Sequence, residues 1–406
     1  MNNKKIVQGI LDIGESMLRS GAEIYRVQDS IERMCESYGF LQCDAFVIQS
    51  NIQISVETKE HKILTQIREV EKTGIDYDKL KELNELSRYV CANRPDDIKL
   101  HEKYREVMEK PAQKEWVIFC AQVIGATSFA VFYGCNFKDT LAALTLAAFI
   151  VLFGKWISKR EESLLIYNLL LAFCAEVFVI LSFRLGISEH PDWVMIGLVM
   201  LLISALGLNS GIHDMVNANF ISGFLEIMNA LLGAFGIACG IALAMLLMRW
   251  KGATGFIMNP NVCIQVLSCT IGCTGYACWF GVRGRKNMLY SGIGAFITWT
   301  IYLLVYEFTE NNFYASIVSA SFVAAYTYYM SRITKSPSTL FLTASVLPLM
   351  PGARLYYMMS GIVAKRYPVV LEHLTVIAEI CVGIAFGYWI VDIVVRNVKN
   401  IKKQSR

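Results

Sequence analysis

Residues 125–134 read GATSFAVFYG, and residues 272–281, which lie 147 positions later, read GCTGYACWFG. Residues 236–240 (GIACG) recur at the same spacing as residues 383–387 (GIAFG). Apolar, glycine-rich helices resemble one another to some degree, and this is the alternative explanation of the matches. Two matches in the same order and at one spacing nevertheless indicate that one unit is present twice in the chain.

The repeated unit also carries an acidic residue. Leu225-Glu226 is followed 146 positions later by Leu371-Glu372. A carboxylate near the centre of a bilayer costs about 2.5–3.5 kcal/mol on insertion scales, so a shared acid in an apolar segment needs a reason. We therefore count Glu226 and Glu372 as a third match, and we expect the two side chains to meet near the axis that relates the units.

Apolar segments of membrane-spanning length fill the chain from about residue 116 onwards. The chain is 55% hydrophobic and 18% charged, and roughly 20 apolar residues suffice to cross the hydrocarbon of a bilayer. The ten predicted spans are residues 117–134, 140–157, 164–183, 193–211, 220–248, 262–282, 289–308, 313–333, 340–363 and 370–395. Each unit holds five spans, an odd number, so the second unit enters the membrane from the opposite side and forms an inverted repeat.

The distribution of positive charge predicts the orientation. If residues 1–115 are cytoplasmic, the predicted inner loops and C-terminal tail hold thirteen Lys and Arg residues, and the predicted outer loops hold six. Because cytoplasmic loops carry an excess of Lys and Arg, we expect both termini inside. The net charge of +4 is small and forms no dense basic patch, so we expect no nucleic-acid partner.

Residues 1–115 are rich in charged residues and differ from the rest of the chain. Helical spacing of apolar residues predicts one or two helices in residues 6–38, with a break at Gly21. Alternation predicts strands near residues 46–48, 52–56 and 63–70, and a further helix covers residues 76–90. The predicted fold is an all-α polytopic membrane protein of ten transmembrane helices, arranged as two inverted five-helix repeats behind a small soluble α+β domain. The predicted division is residues 1–115, 116–250 and 251–406, the last with a basic cytoplasmic tail.

The ninth predicted span contains LPLMPGAR at residues 347–354. Two prolines and a glycine break a helix, and the N-terminus of a half-helix offers backbone N–H groups to a carboxylate. Arg354 follows directly, and its guanidinium can bind a substrate carboxylate in a bidentate manner. The alternative is that Arg354 forms a structural salt bridge to Glu379 or Glu372. The repeat counterpart is LGLNSGIHD at residues 206–214. The predicted substrate-binding residues are Asn209, Ser210, Gly211, Pro351, Gly352 and Arg354.

Four acids in or next to the predicted spans are candidates for proton coupling: Glu226, Glu372, Glu379 and Asp214. A carboxyl that is protonated on one side of the membrane and ionised on the other couples solute movement to protons. The alternative is that the glutamates lie at span ends and face water. Glu176 is a further lone acid within a span. We predict no catalytic residue, no metal site and no cofactor; the expected partners are a small solute, protons and membrane lipid, and a homo-oligomer is left open.

Several segments resemble one known family. They are Gly14-Glu15 followed by SGAEIYRV at residues 20–27, TGIDYDKLKELNELSR at residues 73–88, NSGIHD at residues 209–214 with GFLE at residues 223–226, and LPLMPG at residues 347–352. These segments are similar to signatures of the threonine/serine exporter family in its fused single-chain form. The resemblance implies an exporter of L-threonine and L-serine in the bacterial cytoplasmic membrane, driven by the proton-motive force. Some relatives whose two parts are separate proteins are linked instead to export of C4 dicarboxylates such as succinate.

Two functions of other classes fit parts of the sequence. Ser210 beside His213-Asp214 suggests an intramembrane hydrolase, although the Gly-x-Ser-Gly of a rhomboid-type protease is missing. A membrane sensor that signals through its soluble domain is the other alternative, and it predicts no net solute flux.

Overall fold

The computed structural model describes residues 2–70, 74–203, 205–216, 219–250 and 261–404, with the backbone alone described at residues 205, 206, 209, 216, 396 and 398–404. The predicted boundary at residue 251 lies outside the described residues. The described chain is mainly helical, with one three-stranded sheet near its N-terminus.

The first part of the chain, which we call the N-terminal unit, has seven elements. They are α1 (Asn3–Arg19), α2 (Ile24–Tyr38), β1 (Gln42–Ile48), β2 (Asn51–Glu57), β3 (Ile63–Glu69), α3 (Tyr77–Asn93) and α4 (Asp97–Met108). The strands form an antiparallel sheet in the order β1-β2-β3. Alternation along β2 buries Ile52, Ile54 and Val56 in the same core as the apolar face of α1. The predicted strands are therefore present.

A sharp corner separates α1 from α2. Gly21 has φ +88°, a conformation that favours glycine, and a Cβ on it would lie 3.3 Å from the carbonyl oxygen of Gly74. Glu23 follows in extended conformation and immediately precedes α2, but its side chain makes no capping hydrogen bond to the helix. The corner therefore leaves the Glu23 carboxylate available for other partners.

The rest of the described chain is a set of helices. They are α5 (Glu115–Tyr133), α6 (Phe137–Ile157), α7 (Leu164–Arg184), α8 (Pro191–Leu202), α9 (Ala205–Val216), α10 (Phe220–Leu247), α11 (Val262–Trp279), α12 (Arg285–Thr309), α13 (Asn312–Thr334), α14 (Ser338–Val346), a short 3-10 helix (Leu347–Leu349), α15 (Gly352–Val363) and α16 (Tyr367–Gln404). By length and composition, seven of the described helices can cross a membrane: α5, α6, α7, α10, α11, α12 and α16. The chain is a multi-pass membrane protein.

Two of the ten predicted spans are not single helices. Residues 193–211 are divided between α8 and α9, because Ile203 leaves the helical conformation (φ −67°, ψ 124°) after α8 ends. Residues 340–363 are divided into α14, the 3-10 helix and α15, as expected where Pro348 and Pro351 supply no N–H to a helix. Residues 313–333 do form one helix, α13, although it is not among the seven most apolar.

The helix boundaries repeat at the spacing of the sequence matches. The first residues of α8 and α14 are 147 positions apart, and so are those of α9 and α15 and those of α10 and α16. Contacts between the two halves follow the same correspondence: α9 of the first half packs on α16 of the second, and α15 of the second half packs on α10 of the first. The two halves therefore have the same sequence of elements, including one broken segment each.

Helices α5 and α11 cross closely through a reciprocal contact. A Cβ on Gly125 would lie 3.2 Å from the Tyr276 ring, and a Cβ on Gly272 would lie 3.0 Å from the Phe129 ring. The spacing of 147 relates Gly125 to Gly272 and Phe129 to Tyr276. Exchange of equivalent residues across a contact is the mark of a twofold relation, and the glycines allow the helix backbones to approach.

The structure changes the pairing of the repeated acids. Helices α10 and α16 are continuous, so one spacing holds along each, and the glycines near their centres fix it at 147. In both helices these glycines face backbone carbonyls of the neighbouring helix, α7 or α13. The position of Glu226 is therefore matched by His373, and Glu372 is turned away from it by about 100° around the helix.

Candidate functional site

A cavity of about 520 Å³ lies beside the break between α14 and α15. Its wall is formed by residues 348–354, the end of α5, the second half of α12, the start of α13 and the first four turns of α16. Its polar lining residues include Tyr133, Tyr302, Tyr306, Asn312, Arg354, Glu372 and His373. We call this space the outer cavity, because it lies at the end of the membrane helices opposite to the N-terminal unit.

The break itself is built by Pro351 and Gly352. Pro351 precedes α15 with φ −81° and ψ 43°, and Gly352 is the first residue of that helix. A Cβ on Gly352 would lie 2.9 Å from Ile203 and 3.0 Å from the sulfur of Met200. Gly352 thus lets α15 pack against the end of α8, so that the breaks of the two halves meet. Pro351 lines the outer cavity.

Arg354 lies in the first turn of α15 and is half-buried. Its Nη1 lies 3.4 Å from Nδ1 of His373, whose ring stacks on Tyr357 with centroids 5.6 Å apart. Glu372 lines the same cavity. Glu379 lies two turns further along α16, within electrostatic reach of Tyr302. The predicted residues Arg354 and Glu372 therefore line one cavity, and Glu379 lies near the cavity residue Tyr302 without lining the cavity itself.

The predicted site residues of the first half are not part of this cavity. Ser210 and Gly211 lie inside α9 rather than at the break, and the side chain of Asn209 lies outside the described residues. A Cβ on Gly211 would lie 2.9 Å from the carbonyl oxygen of Gly223. Gly211 therefore allows α9 and α10 to pack closely, and it does not cradle a ligand at a helix end.

The N-terminal unit docks on one end of the membrane helices. The Tyr77 N–H donates to the carbonyl of Phe280 at 3.1 Å, and the Tyr77 hydroxyl lies 2.7 Å from that of Thr343. Further contacts join Asp78 to Arg283 at 3.2 Å, Arg88 to the carbonyl of Lys335 at 3.2 Å, and Gln49 to Asn229 at 3.1 Å. We call this end the inner end.

A cluster of charged side chains lies at the inner end, where α2 meets α9 and α10. Arg26 Nε lies 2.7 Å from Glu23 Oε2, and His213 Nδ1 lies 3.5 Å from Glu23 Oε1. Asp214, which is fully buried, faces the backbone N–H groups at the start of α2. Glu226 lies within electrostatic reach of Asp214 and Glu23. We call these five residues the inner cluster.

Opposing effects determine the ionisation of Glu23. Burial, the largest effect, would raise the pKa of its carboxyl, but the charges of His213 and Arg26 and the hydrogen bonds of Tyr25 and Arg26 together hold that pKa below its ordinary value. Glu23 is therefore a fixed negative charge, 2% exposed, at the base of the cluster. Among the residues that the structure describes, no group of three or more His, Cys, Asp or Glu side chains is arranged to hold a metal ion.

Two further acids, one buried and one half-buried, lie beside the broken helices. Glu176 on α7 is 1% exposed, and its Oε2 has no hydrogen-bond partner within the described ranges. Asp192, at the start of α8, accepts a hydrogen bond of 2.9 Å from the Tyr356 hydroxyl of α15. The sequence singled out Glu176 but neither Asp192 nor Glu23. The one available signal for Glu23 was its place in the motif of residues 20–27.

Two family models match the chain, and their descriptions are "Putative threonine/serine exporter" and "Threonine/Serine exporter, ThrE". The first covers residues 8–248, from the N-terminal unit to α10, and the second covers residues 265–394, from α11 to α16. The chain is also similar to a curated protein of Mycobacterium tuberculosis (strain ATCC 25618 / H37Rv) named "Probable threonine/serine exporter". The two are 20% identical over 387 residues, which make up 88% of this chain and 70% of that protein. No solved structure gives a significant match.

Proposed function

We propose, because this chain belongs to the threonine/serine exporter family, that it exports L-threonine and L-serine across the bacterial cytoplasmic membrane and is driven by the proton-motive force. The observation that carries the proposal is the presence of both a guanidinium, Arg354, and a carboxylate, Glu372, on the wall of one cavity. A free amino acid has one charge of each sign, so both of its charged groups find a partner there.

The same two groups argue against a C4 dicarboxylate as the preferred substrate. Arg354 would bind one carboxylate of succinate, but Glu372 would repel the second. The hydroxyl of threonine or serine finds hydrogen-bond partners in the cavity, where the Tyr302 hydroxyl already donates to Asn312 at 2.9 Å. A zwitterion with a short polar side chain is therefore the ligand that this wall fits best.

Glu372 also offers a simple mechanism of coupling. A carboxylate that holds the substrate ammonium cannot hold a proton at the same time, so proton and substrate bind in turn. Such competition produces exchange of an inward proton for an outward amino acid. One charge moved across 100 mV supplies about 2.3 kcal/mol, which corresponds to a concentration ratio of about 50. Glu379, Glu226 and Asp214 are the remaining candidate proton carriers of this proposal.

The architecture proposed for this exporter is two inverted five-helix repeats behind a cytoplasmic N-terminal domain, divided at residues 115 and 250, with both termini inside. Supporting it are the element spacing of 147, the reciprocal contact of α5 and α11, and one broken segment in each half. Lys138 and Arg285 occupy equivalent, exposed positions 147 residues apart. A membrane-impermeant maleimide should label Lys138→Cys in intact cells and Arg285→Cys only after permeabilisation. Labelling of both from one side would contradict inversion.

Counterflow in proteoliposomes tests the proposed function. Vesicles loaded with unlabelled threonine, serine or succinate are diluted into labelled threonine, serine or succinate, with empty vesicles as the control. We expect transient accumulation with threonine and serine, and net flux that follows an imposed proton gradient. Accumulation with succinate alone would identify a dicarboxylate exporter. Absence of flux for all three solutes would refute the proposal and favour a sensor.

A further inference from the structure

We propose that Glu23, a residue of the N-terminal unit, is a positioning residue of the proton site formed by Asp214 and Glu226. Its fixed charge sets how readily these two carboxyls bind a proton, so that export depends on docking of the N-terminal unit. The inference rests on the proposed proton-driven export and adds to it a residue from outside the membrane helices.

Glu23 is a buried carboxylate whose partners come from two different elements, α2 and α9. A buried carboxylate is expensive unless charged or hydrogen-bonding partners surround it. At the residue before a helix, Ser, Thr, Asp or Asn would cap the first turn directly, yet the Glu23 side chain makes no capping bond to α2. It reaches instead to Arg26 at 2.7 Å and to His213 of α9 at 3.5 Å.

Three carboxylates thus share one desolvated region with two basic side chains. Both oxygens of Asp214 are buried and face the backbone N–H groups of Ile24 and Tyr25, and the Oε2 of Glu226 is buried with no hydrogen-bond partner in the described part of the chain. Like charges held together out of water repel, so a cluster of this kind retains a proton that separate surface carboxylates would release. Glu23 is the member held ionised by Arg26 and His213, which leaves Asp214 and Glu226 as the members that exchange the proton.

The cluster has a route to solvent at the inner end. A cavity of about 290 Å³ lies between α2 and helices α13, α14 and α16, and Arg26 and His213 form part of its wall. Water in this cavity reaches the two basic partners of Glu23 directly. Asp214 and Glu226 do not line this cavity, so Arg26 and His213 are the members of the inner cluster that border it.

Several elements bring titratable or charged groups to face the cluster. They are Tyr25 and Arg26 of α2, Tyr77 of α3, His213 and Asp214 of α9, Glu226 of α10, Arg332 of α13, and Tyr388 and Asp392 of α16. The tyrosines stay neutral near pH 7, because burial raises the pKa of Tyr77 and Tyr25 above the ordinary range. The acids and bases alone set the charge balance.

The sign of the effect follows from that balance. Glu23→Gln removes one negative charge and leaves Arg26 and His213 without their partner, and both changes favour ionised Asp214 and Glu226. The half-maximal pH of flux, measured against the pH of the cytoplasmic side, should therefore move to lower pH. One nearby charge typically shifts a carboxyl by about one to three pH units. Arg26→Gln, which leaves Glu23 less neutralised, should move the profile to higher pH.

The experiment uses full-length protein in proteoliposomes and records two quantities for each variant, counterflow at equal pH and gradient-driven flux against cytoplasmic-side pH. We expect Glu23→Gln to keep counterflow and to shift the profile by about one unit or more. Glu15→Gln is the matched control, since Glu15 is paired with Arg19 and Arg68 within the N-terminal unit, at 3.3 and 3.5 Å. Its profile should be that of the unmodified protein.

Each other outcome overturns the inference or the function on which it rests. An unshifted profile in Glu23→Gln, or an equal shift in Glu15→Gln, would overturn the role of Glu23. Glu23→Gln could lose counterflow, so that its pH profile cannot be measured. The pH profile of Arg26→Gln is then the test. If that profile is unshifted or moves to lower pH, the role of Glu23 is overturned. Flux by the unmodified protein that ignores the proton gradient would refute proton-driven export itself.

Discussion

Replacement of Arg354 by alanine tests the substrate site most directly. The change removes the guanidinium from the wall of the outer cavity and leaves a bound carboxylate facing His373 and Glu372. Removing one partner of a buried, hydrogen-bonded charge pair costs about 2–5 kcal/mol. Arg354 is half-buried, so solvent screens the pair and the lower limit applies. A loss of about 2 kcal/mol corresponds to an affinity about 30-fold weaker.

The assay is the concentration of threonine or serine that gives half-maximal counterflow. Arg354→Lys keeps the positive charge but loses the planar fork that matches a carboxylate, so its affinity should lie between those of the unmodified protein and Arg354→Ala. Arg184→Ala is the matched control, because Arg184 is exposed near the outer ends of the helices and contacts the carbonyl of Met248 rather than the cavity. It should leave affinity unchanged.

Two results would refute the assignment. Wild-type affinity in both Arg354→Ala and Arg354→Lys would remove Arg354 from the binding site. An equal loss in Arg184→Ala would show that the effect comes from charge at the outer side in general. Thermal unfolding of each purified variant separates a binding defect from a folding defect.

Glu226→Gln is expected to abolish gradient-driven flux and to preserve counterflow, and unchanged net flux would exclude Glu226 from coupling. Glu372→Gln should weaken substrate affinity and uncouple flux from protons, because one carboxylate serves both ligands; normal affinity with normal coupling would contradict this. Gly240→Ala should lower the melting temperature, since the new methyl group would lie 2.3 Å from a carbonyl oxygen of α7, and such overpacking costs about 1–3 kcal/mol. Gly233→Ala, whose new methyl group would lie 3.0 Å from the Asn168 amide and so overlaps far less than that of Gly240→Ala, is the control and should be milder.

Apolar length and the internal repeat were enough to predict the long helices, and proline chemistry predicted the break before α15. The break after α8 was not predicted at its observed place, because Ile203 gives no local signal for an extended residue. The sequence alone pairs Glu226 with Glu372, one residue out of register, because both halves contain the dipeptide Leu-Glu at nearly the repeat spacing. Only a continuous helix shows that Glu226 corresponds to His373.

The candidate sites were predictable where a local motif carried them. Arg354 followed from its place after two prolines, and it does line a cavity. The inner cluster was hidden, because Glu23 and His213 are separated by almost half of the chain and no periodicity shows which surfaces dock. Asp192 was missed for the same reason, since its partner Tyr356 comes from the other half.

The crossing of α5 and α11 bears on how such a chain arises. In each half an aromatic ring, Phe129 or Tyr276, packs against a glycine of the other half, Gly272 or Gly125. The contact surface between α5 and α11 is therefore self-complementary. An ancestral five-helix protein inserted in both orientations would already have made this contact as an antiparallel homodimer. Duplication and fusion of such a unit would need a linker but no new surface at this contact, where Phe129 and Tyr276 pack with ring centroids 5.7 Å apart.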